Sequence, residues 1–153
     1  MRCSPLLLLL LALGCGGSDA RSAPPAAGVG GDELTAFQLE HGIGPVTEPL
    51  TLGPLDAGLA QQGKALFEVK CSACHKMEER YVGPPLGGVT ARRSPAFIMN
   101  QVLNPEGMYA RHPVVKQLLG EYMTQMPNLA LTREQARQIV EYLRTQAPEE
   151  PEH

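Results

Sequence analysis

The sequence predicts an all-α domain of four or so helices joined by long loops, and three features carry this prediction. Apolar residues recur at helical spacing between residues 59 and 67, just after Asp56, which is a favourable N-cap. Thr132, with Gln135 three residues later, forms a capping box ahead of an amphipathic stretch. No segment has the pattern of a convincing strand.

Capping residues and prolines predict where further helices begin between the helix that follows Asp56 and the helix that follows Thr132. Ser94 followed by Pro95 combines an N-cap with the proline that is favoured in a first helical turn, and this helix stops before Asn104. Pro113 opens a second, shorter helix. The buried face of the last helix is expected to consist of Ala136, Ile139, Val140 and Leu143.

Residues 1–14 resemble the signal peptide of a bacterial lipoprotein. Arg2 precedes an unbroken apolar run that is too short to span a bilayer as a stable anchor. In such signals the cysteine that follows the cleavage site becomes the acylated first residue, so Cys15 is the predicted lipidation site. Ordinary cleavage further on, after Ala20, is the alternative, and both interpretations predict an exported protein.

The composition of the remaining chain defines its segments. Residues 15–31 are rich in small residues and proline, which predicts a flexible tether. Residues 32–56 predict an extended arm with one helical turn at 32–40. Leu34, Phe37 and Leu39 are the residues of the arm that are expected to dock on the domain. The predicted domain covers residues 57–147, and an acidic tail follows at 148–153.

The amino-acid composition also favours some functions of the protein over others. Aromatic residues make up only 5% of the 153 residues, and Trp is absent. So few large rings make a thin core, and a bound macrocycle would supply the missing apolar volume. The formal net charge of −3 gives no basic face of the kind that binds nucleic acid, so no nucleic-acid partner is expected.

The strongest motif in the chain is CxxCH, formed by residues 71–75. Two thiols separated by two residues can add to the two vinyl groups at one edge of a haem, and the next residue then projects under the iron. Cys71, Cys74 and His75 therefore predict one covalently attached haem c with His75 as an iron ligand. A zinc site would need a second ligand pair, and a thioredoxin-like redox pair would need strands alternating with helices.

From residue 57 to 146 the chain resembles a class I monohaem cytochrome c, and the match extends beyond CxxCH. The matching residues, in chain order, are Gly63, Phe67, the GPxLxG-like loop from Gly83 to Gly88, Met126 with Pro127, and Tyr142. The resemblance implies the class I cytochrome c fold around one haem. It also implies that Gly63 lets Tyr142 and the last helix approach the first helix closely.

The same resemblance implies roles for residues around the haem. The backbone carbonyl of Pro84 would accept a hydrogen bond from His75, which orients the ring and makes it a better ligand. Arg92 would lie near a haem propionate, with Arg93 as a competitor for that position.

Met126 is the expected sixth ligand of the iron, because it precedes a proline and has the family's spacing to the last helix. The alternatives are Met123, His112 and an iron with an open position. Met108 lies in a predicted loop that could approach the haem but has no counterpart in the family, and Met99 is expected in the core. A thioether ligand raises the reduction potential, and a saturated iron argues against enzymatic chemistry.

Together these features predict a periplasmic, lipid-anchored electron carrier. Its expected redox partners are a membrane quinol-oxidising donor and a periplasmic reductase or oxidase. Residues 41–46 are similar to a segment of cytochromes that accompany nitrous-oxide reductase, which makes that enzyme a candidate partner. The alternatives are a haem-bearing subunit of a larger oxidoreductase complex, and a haem enzyme or gas sensor with an open iron site.

Overall fold

Our computed structural model describes residues 33–146 of the chain. This part contains seven α-helices joined by loops. They are α1 (Ala36–His41), α2 (Ala57–Lys70), α3 (Val89–Arg92), α4 (Pro95–Leu103), α5 (Pro105–Arg111), α6 (Pro113–Tyr122) and α7 (Arg133–Arg144). No strand occurs between residues 33 and 146, and the predicted all-α class is confirmed. None of these seven helices combines the length and the apolarity needed to cross a membrane.

Several predicted features lie outside the described residues. They are the signal peptide at 1–14, the lipidation site Cys15, the tether at 15–31 and the acidic tail at 148–153.

The predicted helix starts are present in the structure. The Asp56 carboxylate accepts a hydrogen bond from the backbone amide three residues on, at the start of α2. Ser94 caps α4 with Pro95 in the first turn, and Thr132 and Gln135 form the reciprocal capping box of α7. Each of these caps satisfies a backbone amide that has no partner within its own helix.

The sequence pattern does not predict the two short helices α3 and α5. Helix α5 begins at Pro105, directly after Asn104 ends α4, so one residue lies between the two helices. A proline can stop one helix and occupy the first turn of the next, and the pattern does not distinguish the two roles. Met108 therefore lies in a helix and not in a loop. It is fully buried, and its sulfur accepts a hydrogen bond from the Ile43 amide at 3.0 Å.

Helices α2 and α7 form the centre of the domain and pack most closely at Gly63. A Cβ atom at residue 63 would collide with the backbone carbonyl of Gln138. Further along the same contact, the ring centroids of Phe67 and Tyr142 lie 5.3 Å apart. The close approach implied by the resemblance is therefore present, and it places the last helix beside the helix that leads into CxxCH.

Residues 33–56, the described part of the predicted arm, fold onto this core. Helix α1 supplies the predicted helical turn, and the chain then runs extended, with Val46 only 1% exposed. The buried Asn100 side chain in α4 accepts a hydrogen bond from the Val46 amide and donates to the carbonyls of His41 and Val46. Leu39, one of the expected docking residues, is instead 51% exposed. A buried amide side chain, together with Val46, therefore holds the arm.

The end of the arm is held by Glu141, a fully buried carboxylate in α7. It accepts a hydrogen bond from the Asp56 amide at 2.7 Å and pairs with the guanidinium groups of Arg137 and Arg144. Arg144 also donates to the Gly53 carbonyl at 2.9 Å. Desolvation alone would raise the pKa of Glu141, but these hydrogen bonds outweigh it and hold the pKa below its usual value. The charged carboxylate thus links α7 to the segment that enters α2.

The contact at Gly63 can be tested by adding one methyl group. Gly63→Ala should lower the free energy of unfolding by about 2–3 kcal/mol, because α2 and α7 must separate to accommodate it. Gly120→Ala is the matched control, since a Cβ atom there meets nothing within 4 Å in another helix of the domain. Thermal unfolding of both haem-loaded variants is the measurement. Equal melting temperatures would contradict the close packing.

Candidate haem-binding site

The CxxCH motif folds into a tight turn at the end of α2. The Cys71 amide donates to the Phe67 carbonyl at 2.9 Å, which completes the last turn of the helix. The amides of Cys74 and His75 then both donate to the Cys71 carbonyl, at 3.0 and 2.9 Å. This turn places both thiols and the imidazole along one cavity.

The cavity beside the motif has a volume of about 300 Å³ and is mostly apolar. Its walls come from α2, the loop after His75, α3, α4, α5, α6, the loop before α7, and α7 itself. Apolar side chains in these walls include Phe67, Leu86, Ile98, Val102, Leu119 and Leu143. Two thiols and an imidazole at the edge of an apolar cavity fit the macrocycle that the sequence predicts.

The His75 ring is oriented by the loop that follows it. Its Nδ1 donates a hydrogen bond to the Pro84 carbonyl at 2.9 Å, which leaves Nε2 as the nitrogen that can bind iron. Desolvation lowers the pKa of His75, and the hydrogen bond to Pro84 opposes this shift without reversing it. The ring is therefore neutral at pH 7, which is the form that binds a metal.

Gly83 packs against the same ring. A Cβ atom at residue 83 would lie 2.5 Å from Cε1 of His75, and the Gly83 amide donates to the Cys74 carbonyl at 2.8 Å. The glycine therefore lets the loop pass directly beside the imidazole. The GPxLxG-like pattern contains this residue, but the contact that requires glycine is visible only in the structure.

The Cys71 thiol is buried at the edge of the cavity. Desolvation by burial, with a smaller contribution from Cys74, raises the pKa of Cys71 to about 11. Redox-active cysteine pairs instead have a lowered thiol pKa, because the thiolate is the reactive form. The buried Cys71 therefore lacks the lowered thiol pKa that is typical of a redox-active pair.

Met126 lines the cavity and has a polar neighbour there. The Gln101 side-chain amide donates to its sulfur at 3.7 Å, while the carbonyl oxygen of the same amide is buried without a hydrogen-bond partner among the described residues. Sequence reasoning missed Gln101, because a single polar residue in α4 gives no periodic signal. Its contact with Met126 joins residues 25 positions apart.

The alternatives to Met126 lie elsewhere. The Met123 side chain is 82% exposed at the end of α6 and does not line the cavity. His112 is fully buried, and its Nε2 donates to the Leu39 carbonyl at 3.1 Å, which holds the arm. Met99 is 1% exposed in the core, as predicted, and the buried Met108 contacts the arm.

Arg92 lines the cavity, but its guanidinium binds backbone carbonyls of the loop that precedes α3. Its guanidinium donates to the backbone carbonyls of Gly87 at 2.9 Å and Pro85 at 3.4 Å. The neighbouring Arg93 also lines the cavity, and its guanidinium stacks on the Phe97 ring at 5.4 Å from the centroid. The role of Arg92 toward a propionate stays a prediction.

With this geometry established, comparison with known proteins defines the family. The family model described as Cytochrome c matches residues 60–147, which is 88 of the 153 residues. This chain belongs to the cytochrome c family. Members carry a covalently attached c-type haem with its iron, and the thiols, imidazole and apolar cavity of this cytochrome c fit that group.

Solved structures of the family have a similar fold. Cytochrome c from Rhodothermus marinus matches with a TM-score of 0.67 and 55% sequence identity, covering 71% of this chain and 93% of that one. An engineered form of that cytochrome, bound to a carbene intermediate, matches with a TM-score of 0.64 and 54% identity over 71% of this chain and 94% of that one. The predicted class I cytochrome c fold is therefore confirmed.

Two curated relatives match over shorter stretches. A cytochrome c-553-like protein of Synechocystis is 42% identical over 48 residues, which are 31% of this chain and 46% of the relative. Cytochrome c2 of Rhodopseudomonas palustris is 40% identical over 45 residues, which are 29% of this chain and 32% of the relative. The matched stretches thus span less than half the length of either relative.

Gly83 allows a test of the histidine packing. Gly83→Ala should displace the His75 ring and destabilise the haem-loaded protein by about 1–3 kcal/mol, because the new methyl group has no free space. Gly53→Ala is the control, since a Cβ atom there meets nothing within 4 Å. Absorption spectra and thermal unfolding of the haem-loaded variants measure the effect. An unchanged spectrum and melting temperature in Gly83→Ala would show that the ring is not held this closely.

Proposed function

We propose that this cytochrome c is an electron carrier whose haem iron is bound by His75 and Met126. The observation that carries the proposal is that an imidazole and a thioether line the same cavity, and that Met126 is the methionine of the described residues found there. With the four nitrogens of the porphyrin, these two protein ligands would leave no open position on the iron. Such a site exchanges electrons with a partner without binding a substrate at the metal.

Each residue of the site has a defined task in this proposal. Cys71 and Cys74 form the thioether links, and the Pro84 carbonyl keeps the His75 ring in the orientation and tautomer that bind iron. The Gln101 amide restrains the sulfur of Met126 through its hydrogen bond. When bound, the haem supplies a one-electron couple, and a thioether ligand favours its reduced form.

A haem enzyme is the second candidate, because an engineered relative binds a carbene intermediate. In this chain the Met126 sulfur would have to leave before a substrate reached the iron. Electron transfer needs no such step, and it is the function that the cytochrome c family suggests. The third candidate, a subunit of a larger complex, would use the arm as an interaction element. Here the arm instead contacts its own domain through Val46 and Asn100.

Export and a lipid anchor complete the proposal. The lipoprotein-like signal at 1–14 supports acylation of Cys15 on the periplasmic side of a bacterial membrane. The segment at 15–31 would let the domain swing between a membrane quinol-oxidising donor and a periplasmic reductase or oxidase. Nitrous-oxide reductase is a candidate acceptor because of the similarity at residues 41–46.

Ligation by Met126 can be tested with two methionine variants. The oxidised protein should show the weak near-infrared band of sulfur-bound ferric haem, and Met126→Ala should abolish it. The reduction potential of that variant should fall by on the order of a hundred millivolts, because the thioether no longer stabilises ferrous iron. Met123→Ala is the matched control and should keep both the band and the potential. Loss of the band in Met123→Ala alone would make the assignment wrong.

The anchor can be tested independently of the haem. Cys15→Ala should move the protein from the membrane fraction to the soluble fraction or leave its signal uncleaved, because the acylated residue is lost. Its haem spectrum should stay unchanged. Fractionation, with haem staining of each fraction, is the measurement. A variant that stays membrane-bound with its signal removed would refute lipidation at this residue.

A further inference from the structure

One exposed side chain connects two walls of the haem cavity. Arg80 lies five residues after His75, in the loop that contributes Val82 and Gly83 to the cavity lining. Its guanidinium lies against the end of α6, where Tyr122 lines the cavity from another side. The contact therefore links the segment that carries the histidine to the helix that leads to Met126.

Three contacts join Arg80 to α6. Its Nη1 donates to the Glu121 carboxylate at 3.0 Å, and its Nη2 donates to the Glu121 backbone carbonyl at 2.7 Å. The guanidinium carbon lies 4.1 Å from the centroid of the Tyr122 ring. A planar guanidinium can make all three contacts together, because its donors form a rigid fork while its face stacks on the ring. The carbonyl is among the last four of α6, which lack partners within the helix, so Arg80 also caps it.

The loop that carries Arg80 is bonded to the haem-attachment segment. The Gly83 amide donates to the Cys74 carbonyl at 2.8 Å, and the Lys76 ammonium donates to the Ser72 carbonyl at 3.1 Å. These bonds tie the loop to CxxCH on both sides of Arg80. The backbone on either side of Arg80 is therefore joined to the haem-attachment segment.

The opposite partner, the end of α6, is exposed to solvent on one face and lines the cavity on the other. Val115, in the first turn of α6, is buried, whereas Gly120 and Glu121 near its end are exposed. The helix stops at Met123, which adopts a left-handed conformation with φ of 53°. Met126 follows three residues later, with no helix in between. A movement of the end of α6 would therefore carry the Met126 segment with it.

We propose that Arg80 is a positioning residue that clamps the Met126 side of the cavity to the His75 side and so keeps the methionine on the iron. The inference rests on the proposed ligation by His75 and Met126. An isolated surface ion pair contributes little to stability, but this guanidinium adds a helix-capping hydrogen bond and a stacked ring. Loss of the clamp should make the sixth position of the iron open more often, while the haem stays attached.

The rate at which the methionine leaves the sixth coordination position of the iron can be measured by imidazole binding. Ferric holoprotein is mixed with increasing imidazole, and the observed binding rate reaches a plateau when departure of the methionine becomes limiting. Arg80→Gln should raise this plateau about five-fold, because all three contacts are lost or weakened. Glu121→Gln should raise it about two-fold, since the backbone carbonyl and Tyr122 still bind the guanidinium.

Two control variants separate the clamp from general effects. Lys64→Gln removes another exposed cation, one that pairs with Glu68 at 3.8 Å, and should leave the plateau unchanged. Glu141→Gln weakens the fold away from the cavity lining and should lower the melting temperature more than Arg80→Gln does, with a smaller rise in the plateau.

The possible outcomes distinguish the two proposals. A plateau in the wild-type protein that is the same in Arg80→Gln would overturn the clamp and leave the ligation intact. An equal or larger rise of the plateau rate in Glu141→Gln would also overturn the clamp. Departure of the methionine would then depend on the global stability of the protein. If the wild-type rate rises linearly with imidazole and the ferric protein also lacks the near-infrared band of sulfur ligation, the sixth position is already open, and both the ligation and the clamp are wrong.

Discussion

The site depends on the contact between α2 and α7, the two longest helices of the described chain, which meet where Gly63 has no side chain. Helix α2 ends at the CxxCH turn, so its position sets that of both thiols and the imidazole. Helix α7 contributes Ile139 and Leu143 to the cavity lining. The contact between these helices therefore places part of the cavity wall beside the motif.

Buried polar side chains compensate for a core with few aromatic rings. Asn100 satisfies backbone groups of the arm, and Glu141 binds the amide that precedes α2. His112 adds a third such contact to the Leu39 carbonyl. An unsatisfied buried polar group is costly, so each of these bonds favours one arrangement of the chain. They attach the arm, all of which precedes the family match at residues 60–147, to the domain.

The two sides of the cavity are restrained by different means. On the His75 side, Gly83 allows close packing and the Pro84 carbonyl orients the ring. On the Met126 side, the restraint comes from a weak hydrogen bond from Gln101 and from the exposed contact that Arg80 makes with α6. The histidine is therefore the more firmly held of the two proposed ligands. The methionine lies on the half-exposed segment, where an open coordination position would first appear.

The sequence by itself determined those features that depend on residues close together in the chain, namely the helix caps and the CxxCH motif. The caps at Asp56 and Thr132 were predictable because the side chain and the amide it binds are three residues apart. The CxxCH chemistry was predictable because the two thiols and the imidazole lie within five residues. Gly63 was recognised from family spacing, although the carbonyl of Gln138 that requires it lies 75 positions later.

Only the tertiary structure decided between residues that look alike along the chain. Met123 and Met126 are three positions apart, yet one side chain is exposed and the other lines the cavity. Met108 was expected in a loop, because Pro105 can end one helix or begin the next. Asn100 reaches the arm across 54 positions, and Arg80 reaches α6 across 41. Such contacts leave no periodic signal in the sequence, because they arise only when distant segments are brought together by folding.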